Sequence, residues 1–270
     1  MKRLLLIHDL CSAGKAGMMN MIPILNGMGV EVCPVPTMLL STHTGGYGKP
    51  AVLAVPGTYV EDCLRHYERE GIRFDAVFIG YLGSAAMAEK VFELLEKMQG
   101  VPVIFDPIMG DHGKYYSNFD DSYCGALRRL ASCADVLLPN MTEASFLSGK
   151  PYSDEADDKE VFDMAKYLTT LGAGTVIITS AASGKEKIRT AIWEKGIFEI
   201  QEREKVPYMS HGTGDLFDGV FAGAYINGAK CGECVKKASD FVADCLQMKA
   251  EEGTPERDGL PFETLLRRLV

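Results

Sequence analysis

The chain has a single tryptophan in 270 residues, no surplus of positive charge, and no apolar run near the roughly 20 residues that a membrane-spanning helix requires. Each shortage excludes something. Lys and Arg number 28 against 37 Asp and Glu, a net −9 with histidine neutral. Diffuse attraction to nucleic-acid phosphates or to an anionic membrane is therefore disfavoured, and neither partner is expected. An anionic ligand has to be caught locally. There is no internal repeat, low-complexity tract or long Pro/Gly/Ser linker, so one domain over residues 1–270 is expected. The eight cysteines, Cys11, Cys33, Cys63, Cys124, Cys133, Cys231, Cys234 and Cys245, form no short-loop framework and read as reduced thiols. The apolar run after Met1 is too short for a secretory core and ends at Asp9, which points to the cytoplasm.

What is present is an ordinary soluble composition, 47% hydrophobic and 24% charged. Short β-rich apolar runs recur at Leu4–Ile7, Val30–Val35, Ala76–Ile79, Pro102–Phe105, Asp135–Leu138 and Thr175–Thr179, with helical-period segments between most of them. That alternation predicts an α/β fold: a mostly parallel sheet with helices on both faces. Ile188–Trp193 and Ile197–Ile200, around Glu194-Lys195-Gly196, predict a hairpin that adds antiparallel edge strands. Leu216, Phe217, Val220, Phe221 and Ala224 keep a period near 3.6, predicting a helix buried on one broad face. Val235 to Leu246 predicts a second strong helix, and Phe262 to Leu269 a short last one. The stretches Lys49–Gly57 and Ser153–Glu160 read as surface connections.

The sharpest motif is Ser210-His211-Gly212-Thr213-Gly214-Asp215, a glycine-rich turn feeding directly into a helix. The first amides of a helix have no intrahelical partner, so a turn without side-chain bulk lets an anion reach those donors and the positive dipole end. Asp215 follows at once and is placed to take a proton from an attacking alcohol while the turn receives the charge of a transferring phosphoryl group. The helix end should lower the Asp215 pKa, so it is ionised at neutral pH but a weak base whose proton uptake comes late. A plain N-capped loop accounts for the tetrapeptide equally well. Three strand ends change that balance, because ligands of open α/β sheets bind beyond the carboxyl ends of strands. Asp106 and Asp111 follow the fourth predicted strand, and Asn140 and Glu143 follow the fifth, where they also suit a capping box. The hydroxyls of Thr179 and Ser180 follow the sixth.

Together, Gly-Thr-Gly-Asp-Leu-Phe at 212–217, Asp-Pro-Ile-Met-Gly-Asp at 106–111, Leu-Leu-Pro-Asn-x-x-Glu-Ala at 137–144 and Leu-Ser-Thr-His-Thr-Gly at 40–45 resemble the pyridoxal kinase family of the ribokinase superfamily. The four motifs stand in family order across nearly the whole chain. The resemblance implies a three-layer α/β/α ribokinase-like fold, ATP-dependent phosphorylation of the 5′-hydroxymethyl group of pyridoxal, pyridoxine or pyridoxamine, and a homodimer. It implies Asp215 as catalytic base and Gly212, Thr213 and Gly214 as an anion hole. Asp106, Asp111, Asn140 and Glu143 fall in the nucleotide and Mg²⁺ region, with Asp106 and Glu143 toward the metal. Tyr116, Thr179 and Ser180 match ATP contacts, and Thr44 and Tyr81 match vitamin-side contacts. A monovalent cation is a further candidate cofactor. A hydroxymethylpyrimidine or sugar kinase on the same fold, and a noncatalytic vitamer-binding protein, are the alternatives.

The chain departs from the family pattern at Asp9 and Leu10, where many members carry Ser-His. A carboxylate facing the substrate ring would favour a cationic vitamer, hence pyridoxamine over pyridoxal. Asp218 replaces a small residue and reads as a solvated or amine-paired acid. Gly14-Lys15-Ala16-Gly17 lacks the Ser or Thr that a Walker loop needs after its lysine and reads as a glycine-rich helix start. Cys231 and Cys234 have the spacing of half a zinc site but no partners. His43 is expected to organise Thr44, and His211 suits either a phosphate contact or a solvated loop.

Overall fold

The computed structural model describes residues 1–182, 184 and 186–270. The chain forms a large, mostly parallel sheet with helices and a separate two-stranded ribbon, and it divides into two compact units, residues 1–78 with 206–270, and residues 79–205.

In the first unit, β1 (Lys2–Cys11) runs parallel to β2 (Val30–Leu40), which pairs antiparallel with β3 (Val52–Ala54). The strand β4 (Ala76–Ile79) flanks β1 on its other side. Leu4 to Ile7 and all four residues of β4 are buried, as central parallel strands covered on both faces require. Helix α1 (Met18–Gly27) follows β1, and α2 (Gly57–Arg69) follows β3. The segment expected to be a bare connection, Lys49–Gly57, therefore holds an edge strand; its three residues are all exposed, too few and too open for the sequence to betray them.

The β1–β2 register slips between His8 and Asp9, with Thr37 the extra residue on β2. Consecutive side chains on a flat strand point to opposite faces, and a bulge sharpens the local twist and re-aims them. Its effect appears in the site below.

Helices α7 (Thr213–Ile226) and α8 (Cys231–Glu252) complete this unit. Instead of burying one face, α7 is buried from Leu216 through Ala224, because it packs against both α1 and α8. Gly219 and Gly223, one turn apart, make the approach of α1 possible: a Cβ at Gly223 would stand 2.6 Å from Met28 Sδ, and one at Gly219 3.3 Å from Ile24. After α8 the chain forms two 3₁₀ turns, Glu256–Asp258 and Glu263–Arg268, the second replacing the α-helix expected there. The buried Lys249 of α8 holds this tail, donating to the carbonyls of Pro255 and Gly259, each at 2.6 Å.

In the second unit the strand order is β11-β10-β9-β8-β5. Here β5 (Val103–Phe105), β8 (Val136–Leu137) and β9 (Thr175–Ile178) are parallel, while β10 (Lys187–Glu194) and β11 (Ile197–Glu204) form the predicted antiparallel hairpin. The ribbon is β6 (Gly110–Asp111) with β7 (Lys114–Tyr115). Helices α3 (Ala85–Leu95), α4 (Asp121–Leu130), α5 (Met141–Ser148) and α6 (Asp158–Thr169) connect the strands. The acidic stretch Ser153–Glu160 contains the start of α6, capped by Asp157 with Glu160 as reciprocal partner. Among the described residues no helix is long and apolar enough to cross a membrane.

Replacing Lys249 with Met leaves two inward carbonyls without their donor. Urea unfolding should show a loss of about 2–3 kcal/mol; an unchanged midpoint would mean the ammonium contributes nothing to holding the tail.

Candidate active site

In the first unit, the start of α7 is built by glycine. Gly212 caps the helix with φ 78°, in the left-handed region, and a Cβ there would overlap Lys15 O and press on Asn20 Nδ2. An L side chain is strained there by conformation and excluded by space. The buried Asn20, which the sequence reading did not single out, fixes the turn by donating to Gly212 O at 3.1 Å. At Gly214 the situation reverses: no heavy atom lies within 4 Å of where a Cβ would stand. The first-turn amides thus meet the approach that anion binding needs. Asp215 sits in this first turn, its side chain 13% exposed.

Asp215 belongs to a chain of polar groups that the sequence reading missed. His8, 1% exposed, lies with Nδ1 2.7 Å from Asp9 Oδ1 and Nε2 3.3 Å from Asp215 Oδ1. The Nε2 approach is an ion-pair distance whose angles fall short of a hydrogen bond. Nδ1 is also 2.8 Å from the Asp9 amide nitrogen. It cannot donate to the carboxylate and accept from the amide at once, and the charge-assisted bond to the carboxylate is the stronger. The bulge explains how neighbouring His8 and Asp9 side chains meet. Phe78 stacks on the imidazole at 6.5 Å between centroids, and Cys11 Sγ donates to Asp9 Oδ2 at 3.1 Å.

The electrostatics follow from this enclosure. Burial alone would lower the His8 pKa, but the two carboxylates outweigh it and raise the imidazole to about 10. Burial would raise Asp215; His8, aided by the Gly17 amide, holds it below the usual carboxylate value. The expected direction for Asp215 is found, with His8 as its main source. Burial, with Asp9 nearby, pushes the Cys11 thiol far up, so it stays neutral. Because Asp9 is engaged by His8 and Cys11, it does not present the free carboxylate expected toward a substrate ring. A tilt toward pyridoxamine has no free carboxylate at Asp9 to support it.

Thr44 is exposed on its loop, beside a buried His43. His43 Nε2 donates to Arg257 O at 2.7 Å while Nδ1 accepts from Gly45 N at 3.1 Å, which fixes the neutral tautomer. His211 packs on His43 at 5.0 Å, and burial lowers its pKa. It is neither fully solvated nor clear of other groups. Asp218, expected to be solvated or amine-paired, is 2% exposed because α7 is buried all round.

The second unit gathers the strand-end residues. Asn140 and Glu143 form the expected capping box of α5. Glu143 Oε1 accepts from Met109 N at 3.1 Å and Oε2 from Asn140 N at 2.8 Å, while Asn140 Nδ2 donates to Gly110 O at 2.9 Å. The box thereby ties the 106–111 segment to α5. Asp106 and Glu143 are 8% and 2% exposed. Burial first, then the Asp106 charge, raises Glu143 well above an ordinary carboxyl. Thr142, another residue the sequence reading passed over, accepts from Gly113 N at 2.9 Å. Thr179 pairs with Asn140 in an isolated parallel bridge and donates its amide to Pro139 O. Ser180 follows, exposed at φ 52°. Asp111 is exposed on β6 and accepts from His112 N. Tyr116 is 43% exposed. Tyr81 packs on Phe119 and its hydroxyl accepts from Asn118 Nδ2 at 2.8 Å. So Asp106, Asn140 and Glu143 are drawn together, whereas Asp111 and Tyr116 stand outward.

Among the described residues no group of three or more His, Cys, Asp and Glu is arranged to hold a metal. Cys231 and Cys234 are buried thiols of α8. The pair Asp106 and Glu143 still suits Mg²⁺, a hard cation commonly held by one or two carboxylates together with substrate phosphates and water. The repulsion borne by Glu143 is what a bound cation would relieve.

A wound α/β sheet carrying an ionised aspartate at a glycine-built helix start defines a class of small-molecule phosphotransferases. The chain belongs to the phosphomethylpyrimidine kinase family, whose profile matches residues 11–257. It is 29% identical over 252 residues to a pyridoxine/pyridoxal/pyridoxamine kinase of Bordetella pertussis, covering 90% of this chain and 88% of that one. The crystal structure of pyridoxal kinase from Lactobacillus plantarum superposes with a TM-score of 0.92 at 31% identity, covering 100% of this chain and 96% of the other. An ADP complex of Bacillus subtilis pyridoxal kinase gives 0.78 at 25%, with 91% of each chain covered. The resemblance read from the four motifs holds.

His8, raised from 6.5 to about 10, stabilises the fold fully below pH 6.5, and that contribution is lost as pH rises toward 10. Asp215, depressed from 3.8, contributes above that value and loses its share as pH falls through its folded pKa. The difference in unfolding free energy between wild type and His8→Gln should therefore be about 3 kcal/mol near pH 6 and shrink steadily toward pH 10. A difference independent of pH would contradict a charged His8.

Proposed function

We propose that the protein transfers the γ-phosphoryl group of ATP to the 5′-hydroxymethyl group of a B6 vitamer, giving the 5′-phosphate and ADP. The observation that carries this reading is Asp215, held ionised in the first turn of a helix whose glycine start is open to an anion. The acceptor oxygen attacks phosphorus, its proton passes to the Asp215 carboxylate, and the bond to the ADP oxygen breaks. The turn Gly212–Gly214, with Thr213, receives the charge of the transferring group through backbone amides. In the wholly dissociative limit, little proton transfer is needed until late, which suits a weak base.

Asp106 and Glu143 would hold Mg²⁺, which when bound neutralises charge on the phosphate oxygens. Asp111, Tyr116, Asn140, Thr179 and Ser180 are assigned to the nucleotide side, and Thr44 and Tyr81 to the vitamin side, on the strength of the family motifs. One kinase domain over residues 1–270, a homodimer, a cytoplasmic location and a monovalent cation belong to the same reading. The family to which the profile belongs favours a second acceptor, hydroxymethylpyrimidine.

Phosphorylation of pyridoxal, pyridoxine, pyridoxamine, hydroxymethylpyrimidine and ribose with MgATP separates these readings. The B6 vitamers should give the highest kcat/KM, and Asp215→Asn should lower kcat about 10²–10⁴-fold with KM little changed. Preference for the pyrimidine would move the assignment to the second acceptor; tight vitamer binding without transfer would indicate a noncatalytic protein.

A further inference from the structure

The strongest group outside the assigned machinery is His8, and its geometry goes beyond packing. Its ring is shut in at 1% exposure and held on three sides: by Asp9 at 2.7 Å, by Asp215 at 3.3 Å and by the stacked face of Phe78. The backbone bulge beside it brings Asp9 onto the same imidazole. We propose that His8 is a positioning residue for phosphoryl transfer: its imidazolium, anchored on Asp9, pairs as an ion with Asp215 and holds that carboxylate in place and ionised. The proposal rests on Asp215 being the base.

Two carboxylates in a largely buried space repel each other and lose hydration, so without a cation one of them would take up a proton. The groups that face this cluster are Asp9 and Cys11 from β1, Asp215 from α7, the Gly17 amide ahead of α1, and His43 from the 41–51 loop; Phe78 from β4 is neutral. Cys11 is a neutral thiol, and His43 is fixed as a neutral tautomer by its two backbone partners. Among the described residues, that leaves His8 as the cation of the group. Asp9 then anchors the imidazolium from behind, in place of contacting the ring of the substrate. When Asp215 accepts the proton of the acceptor alcohol, His8 keeps its partner in Asp9, so no buried charge is stranded by the transfer.

The role separates from a merely structural one in the pH dependence of kcat, measured with pyridoxine and MgATP for wild type, His8→Gln and Asp9→Asn. His8→Gln should lower kcat about tenfold near pH 6, leave both KM values within about twofold, and move the acid limb of kcat upward by about one pH unit. Asp9→Asn should act in the same direction and less strongly. A second readout needs no variant to fold: ¹⁵N NMR of the wild-type imidazoles should show both His8 nitrogens protonated at pH 7.

An active wild type whose pH profile survives His8→Gln unchanged, or a His8 found neutral at pH 7, overturns the positioning role and leaves the kinase reading standing. A wild type that phosphorylates none of the alcohols overturns the kinase reading, and the positioning role falls with it even if His8 proves protonated.

Discussion

Two carboxylates, one on β1 and one at the start of α7, share a single buried imidazole, and the arrangement of the first unit answers to that constraint. Removing charges from water costs several kcal/mol each, and the attraction between them compensates only if the geometry is held. The means of holding it are visible in the chain. The β1–β2 bulge turns Asp9 onto His8. Phe78 of the neighbouring strand covers the ring. Gly212 accepts a conformation strained for other residues, in a space that admits no Cβ, so that α7 begins where Asp215 can reach Nε2.

The same helix must come close to its neighbours without losing its place. Gly219 and Gly223 let α1 lie against α7, and Asn20 of α1 in turn holds the carbonyl of Gly212. The tail after α8 supports the adjoining loop in a similar way. Lys249 fixes the carbonyls of Pro255 and Gly259, and Arg257, between them, supplies the carbonyl that sets the His43 tautomer. A buried lysine far from His43 in sequence thereby helps to hold the tautomer of that imidazole.

Much of this was legible in the sequence, and what was not shares a cause. Strand runs such as Leu4–Ile7 and Ala76–Ile79, the helix opened by Gly212 to Asp215, and the Asn140 and Glu143 capping box are short-range patterns, each set by residues within a few positions of one another. The His8 ion pair joins segments at opposite ends of the chain and depends on a slip of register, which no local pattern records. The adjacency of His8 and Asp9 at a strand end was the available signal. Family position alone sets Asp9 toward the substrate, where many members carry Ser-His, and that alignment does not record the bulge that turns Asp9 onto His8. The strand Val52–Ala54 and the ribbon of β6 and β7 escaped for another reason: two or three residues are too few to show a period. The solvated reading of Asp218 fails because the burial of α7 comes from packing on both sides, beyond what its own apolar face implies.

The account turns on Asp215 being ionised where burial alone would protonate it. The direct measurement is a ¹³C NMR titration of the Asp215 carboxyl carbon in the intact protein. A midpoint below the ordinary value of 3.8, with no further change up to neutral pH, is the predicted result. A midpoint above about pH 5, as desolvation without a cationic partner would produce, would contradict it.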